Sequence, residues 1–246
     1  MAQATPRNRI VFLIFYWQKY LMASNFPTIA VVGGTGKEGS GLALRWAHAG
    51  YPVVIGSRSA ENAQKTAERL AAVAGSGSRL SAAANEEAVK QADIVVLAVP
   101  YNAQHTTALP LREALAGKIL VDVTVPLAPP RVDRVQLPGG GSAVAALQAE
   151  LGEQVRVVSA FQNVSASHLS DPSHPIECDV LICGDDAAAC EQISSLASAA
   201  GMTGWIAGPL ANSAAAEALT SVLIAINKRY KVPGAGLRIT GVPRAA

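Results

Sequence analysis

Charged and aromatic side chains are scarce in this chain: Asp, Glu, Lys and Arg together make up 15% of its 246 residues, and Phe, Trp and Tyr 5%. The formal charge of +2 is close to neutral. No lysine-rich run or interleaving of basic with aromatic residues occurs, so nucleic acid is not an expected partner. Cysteine is rarer still. Cys178, Cys183 and Cys190 are odd in number and lack CxxC spacing, which argues against a disulfide framework or a zinc site and for structural thiols in a reducing, cytoplasmic compartment. The four histidines, His48, His105, His168 and His174, fall in no recognisable catalytic constellation. Asp185-Asp186 follows a strand pattern and precedes a helical one, which suits helix capping, and no metal is expected. Long apolar runs are also missing. Arg7 and Arg9 precede an apolar run at residues 10–17 that resembles a signal-peptide core, but it is too short to span a bilayer and no small-residue cleavage site follows. Met22 opens a segment that reaches the first strand within a few residues. Residues 1–26 are therefore expected to be a poorly ordered or non-native extension, with no stable membrane association.

What the chain does have is Ala, Val and Gly, within a hydrophobic fraction of 50%, a composition suited to buried parallel strands packed by small-residue helices. Its most informative stretch begins with a β-branched run at residues 28–32. This leads into Gly34-Thr35-Gly36-Lys37-Glu38-Gly39 and then a helical apolar pattern at residues 42–49. In that strand–turn–helix context Gly34 permits the tight turn, Gly36 lets the backbone approach a pyrophosphate, and Gly39 lets the helix pack close to the strand. The helix N-terminus supplies free N–H groups and positive potential. The second strand, residues 52–56, ends in Ser57-Arg58, where an NAD-binding unit carries an acid for the ribose 2′-hydroxyl. A hydroxyl and a guanidinium can instead hold a 2′-phosphate, so the unit reads as selective for NADP(H).

Apolar runs at 94–99 and 119–123, alternating with helical patterns at 61–74 and 106–116, continue a doubly wound α/β sheet, with a short edge strand near 79–82. Prolines 126, 129, 130 and 138 and a triple glycine then break the chain into a mobile excursion. A helix at 142–150, strands at 155–160, 179–184 and 203–207, a helix at 187–200, and a last long helix capped by Asn212 or Ser213 complete the expectation.

The glycine loop, Ser57-Arg58, Val99-Pro100, VVSAFQNVSA (157–166), CDVLICGDD (178–186), GPLANS (208–213) and INKRYKVPGAGLRITG (226–241) occur in order. Together they resemble the NADPH-dependent reductases of coenzyme F420, over nearly everything after Met22. The resemblance implies an NADP-binding Rossmann-type domain with a mostly parallel sheet at 27–160 and a smaller C-terminal α/β domain at 161–246. Between them it implies a cleft where nicotinamide meets the deazaflavin ring, in a homo-oligomer, dimer or tetramer. It also implies that Thr35, Gly36, Lys37 and Glu38 form the phosphate loop and Ser57 with Arg58 the 2′-phosphate site. Asn62 stands where the family often has a cation. Val99, Pro100, Tyr101, Leu127 and Ala166 would line the rim near nicotinamide, and Gln162, Asn163 and Asn212 the deazaflavin cleft.

Gln162 is the main departure, because the family motif there resembles Ala-Phe-His-Asn and glutamine cannot carry a proton at neutral pH. Hydride transfer between nicotinamide C4 and deazaflavin C5 needs stacked, sheltered rings but no acid–base triad. Two alternatives stay open. One is a reductase of a small imine or carbonyl, which would need a proton donor near the nicotinamide; the other is a non-catalytic NADPH sensor.

Overall fold

A computed structural model of the chain describes residues 26–243; the expectation of an N-terminal extension at residues 1–26 lies outside them except at Phe26, whose ring stacks on Tyr51 with centroids 4.2 Å apart. Apolar runs too short for helices and rich in Val and Ile form the strands. They are β1 (Ile29–Val32), β2 (Pro52–Ser57), β3 (Arg79–Ala84), β4 (Ile94–Leu97), β5 (Ile119–Asp122), β6 (Arg156–Ser159), β7 (Asp179–Gly184) and β8 (Thr203–Ile206). They make one sheet in the order β3-β2-β1-β4-β5-β6-β7-β8. All neighbours are parallel except β6 and β7. This is the expected doubly wound, mostly parallel α/β fold. The boundary expected near residue 160 falls at a reversal of strand direction within a continuous sheet.

Alternate residues of each central strand feed two cores, one on each face. Ile29, Val31, Val53, Ile55, Val96 and Val121 face α1 (Lys37–His48), α2 (Ala60–Ala74) and α8 (Ala187–Ala199). Ala30, Val32, Val54, Val95 and Leu120 face α3 (Asn85–Lys90), α5 (Arg112–Leu115) and α6 (Ala143–Leu151). Both layers are closed, as a parallel sheet requires.

Three local details differ from the sequence reading. The helix expected at 106–116 is divided into α4 (Gln104–Ala108), a 3-10 turn at Leu109–Leu111 and α5, because Pro110 cannot continue the ladder. The edge strand β3 has six residues and is as long as β2. Two short helices, α3 and α7 (Ala166–Leu169), went unread. The last helix, α9 (Ser213–Tyr230), runs as expected, but Asn212 does not cap it by its side chain; that amide donates to Ala207 O at 2.8 Å. Asp186 does cap α8, accepting from Ala189 N at 2.7 Å.

The C-terminal segment clasps β7 rather than forming a strand. Buried Asp179 accepts from Trp205 Nε1 at 2.9 Å and Ile239 N at 2.7 Å, while its own N–H donates to Leu237 O. Arg45 gives α1 a second anchor. Its guanidinium, 4% exposed, donates to the carbonyls of His168, Asp171, His174 and Ala200.

Candidate functional site

β1 has β2 on one side and β4 on the other, so the chain leaves the sheet in opposite directions from β1 and β4. A crevice opens at such a switch point, beyond the carboxyl ends of the strands. The turn after β1 depends first on Gly33, which the motif reading passed over. Its φ is +79°, and a Cβ there would run into Ala98 O and lie 2.8 Å from Val99 Cγ1. The positive φ expected of a tight turn therefore belongs to Gly33, not Gly34. Gly34 is excluded from carrying a side chain by Val31 O, 2.7 Å from a built Cβ. Gly39 behaves as expected, with a built Cβ 2.8 Å from Gly33 O and 3.1 Å from Ala98 Cβ.

Gly36 stands at the N-cap of α1 without a side-chain cap. The first N–H groups of α1 therefore have no side-chain oxygen over them, which is the arrangement an anion requires. Thr35 and Lys37 are exposed and, with Ala166, line a cavity of about 610 Å³ that extends along α1 past Ser40 and Leu44 to Arg69. Glu38 is half-buried. Its Oε1 is shielded and has no partner, and burial pushes the carboxyl up to about 8.

At the end of β2, Ser57 is buried and accepts from Ser59 N at 3.3 Å, while Arg58 is exposed. Ser59 caps α2 through Asn62 N at 3.2 Å, leaving the Asn62 side chain in solvent. Val99 presses on Gly33, Pro100 is exposed and Tyr101 half-buried in the turn that follows β4. Leu127 is half-buried after a tight Val125–Leu127 turn.

The residues after β6 are held more firmly than their sequence suggested. Phe161 adopts φ +71° and packs edge-on to Trp46 with ring centroids 5.8 Å apart. A buried aromatic residue in the left-handed region costs on the order of 1–2 kcal/mol and persists only where its surroundings fix it. Gln162 is 4% exposed, and its Nε2 donates to Asp122 O and Ser159 Oγ, both at 2.8 Å. Asn163 Nδ2 donates to Asp179 O at 2.6 Å. The two amides thus diverge, one tying the segment to β5 and β6, the other to β7, and each leaves its carboxamide oxygen buried without a partner. Asn212 is exposed.

A buried polar cluster beneath this rim had no motif to announce it. Asp122 accepts from Gln104 Nε2 at 2.5 Å and Thr124 N at 2.8 Å, and burial raises its pKa. Glu217 of α9, 1% exposed, accepts from Ser142 Oγ, Ala143 N and Val144 N at the start of α6. Burial raises its pKa too, and those hydrogen bonds oppose the rise. Among the described residues no His, Cys, Asp and Glu group is arranged to hold a metal. The three cysteines are buried and free.

The glycine turn at the switch point, with Ser57-Arg58 and no acid at the end of β2, defines a dinucleotide-binding α/β protein of the Rossmann class. A family profile described as NADP oxidoreductase, coenzyme F420-dependent, matches residues 28–126. The F420-dependent NADP reductase of Methanothermobacter thermautotrophicus is 40% identical over 221 residues, 87% of this chain and 95% of that protein. That of Methanocaldococcus jannaschii is also 40% identical, over 87% and 98%. A solved structure from Arthrobacter sp. FB24 superposes with a TM-score of 0.72 at 25% identity, covering 87% of this chain and 99% of that one. The chain belongs to the F420-dependent NADP reductase family.

Proposed function

We propose that this protein transfers a hydride between NADP(H) and the deazaflavin coenzyme F420. The observation that carries the reading is the pairing of an uncapped helix N-terminus at the glycine turn with Arg58 at the end of β2, within a chain so similar to F420-dependent NADP reductases. Gly33, Gly34 and Gly39 fix the shape of the turn, since a Cβ at each would meet the chain's own backbone within 3 Å, and Gly36 leaves the approach to the helix N-terminus without a side chain. The N–H groups of residues 35 and 37–39 would hold its phosphates, Gly36 N being engaged with Gly33 O, and Ser57 and Arg58 its 2′-phosphate. Val99, Pro100, Tyr101, Leu127 and Ala166 would border the nicotinamide.

Nicotinamide and deazaflavin supply hydride donor and acceptor carbons between them. The protein's share is to orient the rings and exclude water. The locked segment 160–163 provides a rigid wall, with Gln162 and Asn163 fixing its backbone and Asn212 further along the chain. Mixing the protein with NADPH and oxidised F420 should bleach the deazaflavin absorbance; no change in either direction of the reaction would overturn the assignment.

The reading extends to a cytoplasmic homo-oligomer. Val222, Ile226 and Tyr230 are 44%, 36% and 71% exposed at four-residue spacing on α9, an apolar stripe suited to a second copy. Segment Leu210–Tyr230 is long and apolar enough to cross a membrane by composition. Glu217 on it caps another helix inside the protein, which favours a soluble role.

A further inference from the structure

Three neighbouring strands end level with one another: Leu97, Asp122 and Ser159, the last residues of β4, β5 and β6, are partners in register. Asp122 is fully buried, and its hydrogen bonds fan out across all three ends. On its own strand one carboxyl oxygen accepts from Thr124 N at 2.8 Å. From the segment after β4, Gln104 Nε2 donates to the other carboxyl oxygen at 2.5 Å and reaches Ala143 O at 3.5 Å. From the segment after β6, Gln162 Nε2 donates to the Asp122 carbonyl and to Ser159 Oγ, both at 2.8 Å. Gln104 is itself fully buried, and its Oε1 has no partner. Stability alone does not ask for an acid here, since a buried carboxyl costs desolvation that an apolar side chain of the same shape avoids. What the acid supplies is a fixed geometry between segments that are distant in sequence.

We propose that Asp122 and Gln104 are positioning residues for hydride transfer: together they set the spacing between the turn after β4 and the segments after β5 and β6, and with it the distance between the two reacting rings. The inference rests on the proposed function, which borders the nicotinamide with Val99, Pro100, Tyr101 and Leu127 and the deazaflavin with Gln162. Both side chains are sealed from solvent, so they act through the backbone that they hold. Tyr101 opens the 3-10 turn that runs directly into Gln104 and α4, and Thr124 lies three residues before Leu127. A shift at either hydrogen bond therefore moves a residue at the rim. Hydride transfer is steeply sensitive to such a shift, since a misplacement of about 1 Å can cost about a hundredfold in rate. Nucleotide affinity, spread over the glycine turn and Arg58, is much less so.

The test is single-turnover mixing of the NADPH-loaded full-length protein with saturating oxidised F420, read as deazaflavin absorbance, alongside NADPH Kd and Tm. Wild type is compared with Asp122→Ala, Asp122→Asn and Gln104→Met at a temperature where each is folded. Asp122→Ala and Gln104→Met should slow hydride transfer about tenfold or more while NADPH Kd changes less than about threefold. Asp122→Asn should stay within about threefold of the wild-type rate. Its oxygen still accepts from Thr124 N, and its amide donates to Gln104 Oε1, unpartnered in wild type, once that carboxamide turns over. Should Asp122→Ala fail to fold, Gln104→Met decides by the same criteria. Folded variants that transfer hydride at the wild-type rate overturn the proposal, as does an Asp122→Asn protein as slow as Gln104→Met. A rate loss matched by an equal loss of NADPH affinity overturns it too, by making the pair a support of nucleotide binding. In all three cases the proposed function stands. Absence of hydride transfer from wild type overturns the proposed function, and the positioning role with it.

Discussion

Arg58 is free in solvent at the end of β2 above a buried Ser57, so its contribution to nucleotide choice can be isolated from folding. Arg58→Asp should weaken NADPH by on the order of 2–4 kcal/mol, through a lost charge-assisted contact and a new repulsion, while leaving NADH nearly unchanged. Fluorescence titration with both nucleotides checks it, and equal wild-type affinity for NADH and NADPH would remove the 2′-phosphate assignment. Gln162 is a different case, because its amide already holds Asp122 O and Ser159 Oγ. Gln162→His should keep NADPH affinity and give the deazaflavin half-reaction a pH dependence near neutrality that wild type lacks. Stopped-flow rates from pH 5.5 to 8 decide it: matching profiles would put residue 162 outside the site. At this scale the glycine turn and Arg58 were legible because turn chemistry and charge are local. The role of Gly33 was not, since the carbonyl that forbids a side chain there belongs to Ala98, just beyond β4. Nor was the buried state of Gln162, which depends on a strand 40 residues earlier.

The helices show how far periodicity reaches. Boundaries of α2, α6, α8 and α9 lay within a residue or two of the sequence expectation, because each carries an apolar stripe or a capping residue in its own sequence. The four-residue α7 is too short to show a period; it exists because α1 packs on it, with Leu169 against Gly41. Arg45 fixes the loop beyond it. Glu217 likewise serves an element distant in sequence, satisfying donors at the start of α6 that Ser142 alone cannot. Glu217→Ala should strand those buried donors and destabilise the protein by about 2–4 kcal/mol, with Glu217→Gln costing less because its carbonyl oxygen still accepts. Urea unfolding of the two variants measures the difference. Equal loss would mean that the packing of α9, and not the cap, is what Glu217 supplies.

For the molecule as a whole, the buried acids set the direction in which stability follows pH. Glu38, Asp122 and Glu217 all have pKa values raised chiefly by burial. For each, the folded state binds the proton more tightly than the unfolded chain. Their contribution is complete below the ordinary carboxylate range and is lost as the pH rises through the folded values, the highest being about 8 at Glu38. Asp133 and Asp171 are shifted the other way, by Lys228 and by Ser173 respectively, and their exposed contacts weaken only in acid. Tm should therefore rise as the pH is lowered from 8.5 to about 5.5, then fall again below about 4 as Asp133 and Asp171 are protonated. In a chain of this size each kcal/mol corresponds to roughly 2–4 °C, so the trend is within reach of scanning calorimetry. E38Q should flatten the limb between pH 6 and 8.5 and melt above wild type at pH 8.5, because the amide has no charge to desolvate. A wild-type Tm that is level or climbs from pH 5.5 to 8.5 would mean that these carboxyls reach water more readily than their burial indicates.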